Sequence, residues 1–114
     1  MSIQSQARRD FLAAAQEAGE VVTYHRSGSA DRSFKALVRR PAPGSAPGPN
    51  TVAPLQLVRI VIPVSDVETE GIADPRAGDH VTFAHARFGG ADVRCRVVSI
   101  IERGVAYTAV QVSP

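Results

Sequence analysis

Three histidines, one cysteine and a run of carboxylates are the side chains here with the types needed for chemistry, and their spacing limits what that chemistry can be. His25, His80 and His85 are scattered, with no HExxH and no cysteine pair, so they do not form a zinc signature. Each reads as a half-exposed strand or turn residue. Asp66, Glu68, Glu70, Asp74 and Asp79 crowd one segment but lack the DxDxDG spacing and closing glutamate of a calcium loop. They read as a solvated face, or as a patch matching arginines on an adjacent copy. Neither Ser27-Gly28-Ser29 nor Gly89-Gly90 leads from a strand into a helix with a following lysine, which a phosphate loop requires. Asp10, His25 and Ser27 have the types of a hydrolytic trio, but spacing alone does not support one. Cys95 stands alone, so the chain has no internal disulfide and no cysteine cage; within an alternating strand it reads as a small buried apolar residue. The expectation is a protein that is not an enzyme and needs no metal or cofactor.

Arginine is the remaining reactive type. Lys35 is the only lysine among 13 basic residues, which against 11 acidic ones leave a net charge of +2, too small to identify a nucleic-acid binder. Arg8 and Arg9, Arg39 and Arg40, and Arg94 and Arg96 come in pairs or at alternate positions. They make a basic stripe if the fold gathers them, and otherwise solubilise the surface. A chain of 114 residues suits one domain with a single core. No segment reaches the roughly 20 apolar residues that cross a bilayer. The opening MSIQSQARRDFLAAAQEAGE is broken at Asp10, Gln16 and Glu17, unlike a secretion signal, and a protein made and used inside a cell is expected.

The elements that must position these residues are mostly strands. Residues 5–18 fit a helix capped by Ser2 or Ser5, with Ile3, Ala7, Phe11, Ala14 and Ala18 on one face and a stop at Gly19. Phe11 and Leu12 carry most of its apolar area, so it should lie across a sheet or a partner. Residues 20–26 set Val22 and Tyr24 against Val21, Thr23 and His25. Residues 32–39 align Phe34, Ala36 and Val38, and SGSAD joins the two runs as a hairpin. Residues 40–54 are too rich in proline and glycine for a ladder and form an exposed loop, either a tolerated insertion or an arm that contacts a partner. LQLVRIVI is a strand covered on both faces except at Arg59. In residues 64–79, Ser65 and Glu68 have the spacing of a capping box. Residues 75–113 read as a β-meander. Its long strand puts Val93, Cys95, Val97 and Ile101 on one face and Arg94 and Arg96 on the other; Val98 and Ile100 then make the outer face apolar, which needs a second cover. The fold expected is mainly β, a small barrel of about six antiparallel strands with one N-terminal helix, in a single domain spanning residues 1–114.

Three stretches resemble a known family, the small head-tail joining proteins (head completion, stopper or adaptor proteins) of tailed bacteriophages and prophages. They are the helix leading into VVTYHRSGSADRSFKALVRR, then LQLVRIVIPVSDVETEGIADPRAGDHVTF with its acidic turn and P-x-x-G-D entry, and the closing RFGGADVRCRVVSIIERGVAYTAVQV. The proline-rich segment at 41–54 departs from many relatives. The resemblance implies a barrel with a peripheral helix, made in the bacterial host cytoplasm and assembled as a six-fold or twelve-fold homo-oligomeric ring in the virion neck. Such a ring touches portal or adaptor and tail proteins, and its lumen conducts DNA without reading sequence. On that reading Arg40, Pro43, Pro47, Asp66, Glu68, Asp74, Val98 and Ile100 are the expected subunit or partner contacts, and Arg94 and Arg96 face DNA. A tail-completion or terminator role in the same assembly differs only in the neighbour touched. A rival from another class is an OB or SH3-like nucleic-acid barrel that uses Arg94, Arg96, Tyr24 and Phe88.

Overall fold

A computed structural model of the chain describes residues 3–40, 58–67, 69–84 and 91–113. Helix α1 (Ile3–Ala18) is followed by β1 (Glu20–His25), β2 (Arg32–Arg39), β3 (Val58–Pro63), β4 (His80–Ala84), β5 (Asp92–Arg103) and β6 (Tyr107–Ser113). The strands close into a barrel in the order β1-β2-β3-β6-β5-β4, every neighbouring pair antiparallel. Two meanders, β1–β3 and β4–β6, are thus sealed to each other through β3–β6 and β1–β4, and closure leaves no free edge. The expected barrel with one N-terminal helix is what forms. The helix is not long and apolar enough to cross a membrane.

Alternation decides what fills the barrel. The register sets Val22 opposite Phe34, Tyr24 opposite Val81 and Val81 opposite Cys95, and all five side chains are buried. A second row runs Val38, Ile60, Val110 and Ile100. Burial of branched side chains at these positions, each worth roughly 1.5 to 3 kcal/mol, is the main force closing the barrel.

β5 departs from simple alternation. Its register against β6 shifts between Val97 and Ser99 and again between Ile100 and Glu102, so Val98 and Ile101 are the extra residues of two bulges. Each bulge inverts the parity of the residues beyond it. Ile100, expected on the outer face, therefore packs against the core, while Ile101, expected inside, is 41% exposed beside Val98 at 44%.

The helix lies against β2 and β3. Ala15 is buried and Phe11 and Leu12 half-buried, whereas Ile3, Ala14 and Ala18, expected on the packed face, are exposed. Phe11 stacks on Tyr107 of β6 at 5.2 Å between ring centroids. This cover buries Val61 and Ala109 on the outer side of the barrel, which is why β3 is apolar on both faces except at exposed Arg59. Gly19 makes the exit from the helix possible, since a Cβ there would stand 2.3 Å from the Ala15 carbonyl oxygen and 2.9 Å from that of Ala36. The loop expected at 41–54, with Pro43 and Pro47, lies outside the described residues, as do Glu68, His85 and Phe88.

Candidate functional site

Residues 64–79 reach β4 along one end of the barrel and are fastened to it. The Ser65 hydroxyl accepts from the Val67 amide and donates to Glu70, each at 3.0 Å, so Ser65 ties the turn to Glu70; the Glu68 half of the expected capping box lies outside the described residues. The Ile72 amide donates to the Pro63 carbonyl at 3.0 Å. Beyond it, the Tyr24 hydroxyl rises from inside the barrel, donates to the Asp79 carboxylate and accepts from the Arg76 amide at 3.2 Å. Arg26 donates to the same carboxylate oxygen through Nε at 3.1 Å and Nη2 at 2.9 Å, and its guanidinium lies 5.8 Å from the Tyr24 ring centroid. Asp74 receives Arg76 and Arg103, each at 3.0 Å, and Arg103 also donates to the Pro75 carbonyl. Burial first, and then the bond to Asp79, push the Tyr24 phenol up to about 12. The hydrogen bond from Arg76 leads the effects that hold the Asp74 carboxyl below its ordinary range.

Three residues named from the sequence are engaged within the chain. Asp74 meets two arginines of its own chain, Arg76 and Arg103. Tyr24 is 2% exposed with its ring in the core, so it offers no face for stacking on a base. Arg40 is likewise engaged within the chain: its guanidinium grips Glu20 through two bonds of 2.6 and 2.8 Å and donates to the Ala84 carbonyl, and this grip lowers the Glu20 carboxyl below its usual range.

Among the described residues, two outer surfaces bring open polar and apolar groups together. On the first, the register aligns Arg96, His80 and His25 across β5, β4 and β1, and next to them Arg94, Thr82, Thr23 and Ser33. His25 and His80, which sequence spacing left scattered, are cross-strand neighbours, because closure of the barrel pairs β1 with β4. His25 is spanned by Thr82 at 2.7 Å and Asp31 at 2.9 Å. Arg94 and Arg96 are exposed and make no ion pair among the described residues, and Val98 continues their line along β5.

The second surface flanks the helix. On one side Phe11, Leu37, Val61, Tyr107 and Ala109 floor an open cleft of about 310 Å³ rimmed by Arg39, Arg59 and Glu102. On the other side Arg8, Arg9 and Leu12 face the turn that carries Asp66, Val67 and Glu70. Asp66 is exposed and is not engaged in an ion pair among the described residues. Sequence reasoning missed the facing of Arg39 and Arg59, which sit directly opposite each other across β2 and β3. Only the register of a pairing across the 41–57 connection could have revealed it. No family model, no curated protein and no solved structure matches this chain.

Proposed function

We propose that the chain is a structural ring component of a phage or prophage neck, joining portal and head to tail around a channel that carries DNA. The supporting observation is the outer face of β5, where Arg94, Arg96 and Val98 succeed one another on the solvent side and a second bulge adds Ile101. Bulges re-aim side chains, and these two turn large aliphatic groups toward water in a barrel whose core is otherwise complete. An apolar pair beside a charged stretch is the makeup of an interface core with a polar rim. A ring needs such patches to meet a different surface on the next copy. The guanidiniums of Arg94 and Arg96, in no ion pair among the described residues, suit phosphates, which position a duplex without reading its sequence. The barrel fold and the resemblance of the three stretches point the same way.

Light scattering on the purified chain, alone and with a portal ring or tail protein added, tests the reading. Oligomers are expected in at least one mixture, lost on Val98→Asp with Ile101→Asp, and the partner that promotes them separates an adaptor or stopper from a tail-completion protein. Monomers in every mixture would refute it.

A further inference from the structure

We infer that the acidic turn bearing Asp66, Val67 and Glu70 of one copy docks into the Arg39–Arg59 cleft of another copy. The inference deepens the ring reading by naming the two surfaces that meet, and depends on it only for the contacts closing into a ring.

The cleft has the character of an unfilled half. Like charges directly opposite on adjacent strands repel, yet Arg39 and Arg59 face each other with no carboxylate paired to either among the described residues. Glu102 on the rim is within 3.4 Å of the Tyr107 hydroxyl, which leaves the mouth with a positive excess. The floor is aliphatic and aromatic, and about 310 Å³ has room for several waters. An anion that also carried an apolar side chain would relieve the repulsion and displace that water.

The turn has the matching half. Val67 is 51% exposed at its tip, beside Asp66 on the solvent side, and the Glu70 amide closes the turn on the Val67 carbonyl at 3.0 Å. One aliphatic group fits the floor formed by Leu37, Val61 and Ala109, and the exposed Asp66 carboxylate answers the Arg39 and Arg59 guanidiniums, a pairing Arg makes with fixed geometry, while Glu70 accepts from Ser65 and holds the turn in shape. The halves cannot meet within one chain. Arg59 is the second residue of β3 and Val64 lies just past its end, about 16 Å further along at 3.3 Å per residue. The Val64 amide is also fixed to the Ala106 carbonyl at 3.0 Å, and the two surfaces lie on opposite flanks of α1. A cleft and a knob at the two ends of one strand make a head-to-tail contact between copies.

Paired charge reversals test this. One variant carries Arg39→Glu with Arg59→Glu, the other Asp66→Lys with Val67→Lys; all four positions are exposed. By mass photometry each variant alone should self-associate at least about tenfold more weakly than the unmodified chain, and an equimolar mixture should recover assembly, because each altered surface then meets its complement. Should either variant fold poorly, a Val67→Cys chain mixed with an Arg39→Cys chain must still give a disulfide-linked heterodimer on mild oxidation, since Cys95 is buried. Reversal variants that assemble as tightly as the unmodified chain, or a mixture with no cross-link, overturn this contact and leave the ring reading standing. An unmodified chain that stays monomeric alone and with portal overturns both.

Discussion

Tyr24 joins the core to the connection it must hold, with its ring among Val22, Phe34 and Val81 and its hydroxyl on Asp79. Its phenol, pushed up to about 12 by burial and by Asp79, ties stability to alkaline pH. The neutral form is favoured by folding, so the contribution is complete below the ordinary phenol value of about 10 and is lost as pH rises from there to about 12. A loss on the order of 2 kcal/mol is expected over that window. Denaturant unfolding at stepped pH checks it, and Tyr24→Phe should flatten the decline while costing about 1 to 3 kcal/mol at neutral pH, because Asp79 and the Arg76 amide lose a partner. Cys95 offers a second test: fully buried between Val93 and Val97, with its thiol pushed up by burial, it should react with a disulfide reagent only as fast as the barrel opens. Rapid labelling of the native chain would contradict the packing.

At the scale of elements, the bulges of β5 separate residues that look alike in sequence. Ile100→Asp places a charge against the core and should cost about 2 to 4 kcal/mol. Val98→Asp should stay within about 0.5 kcal/mol of the unmodified chain, yet weaken assembly. Thermal unfolding of the two variants side by side settles the parity of the strand. That parity was not legible beforehand, because a bulge arises from pairing with β6, and period-two counting along β5 alone runs straight through it. The helix shows the same limit: Phe11 and Gly19 could be identified from residue type, but Ala14 and Ala18 differ from Ala15 only in where the barrel lies. Where alternation was clean and the partner strand came at once, as in β1 and β2, both the inward set and the hairpin could be read directly. The candidate surfaces were harder, because Arg39 with Arg59 and His25 with His80 come together through pairings between distant segments.

For the whole molecule, closure of the barrel has removed every strand edge, so the proposed contacts between copies run through side chains on outer faces rather than through an extended sheet. The faces left for that purpose are unlike one another: the basic and then apolar run of β5, the arginine cleft beside the helix, and the acidic turn beyond β3. Unlike faces favour head-to-tail contacts, and head-to-tail contacts that close give rings. Electron microscopy of the chain purified alone and bound to a portal ring tests that claim most directly. The account predicts closed rings with a central opening wide enough for duplex DNA and one interface repeated around them; isolated single barrels in both preparations, across the full range of concentration, would contradict it.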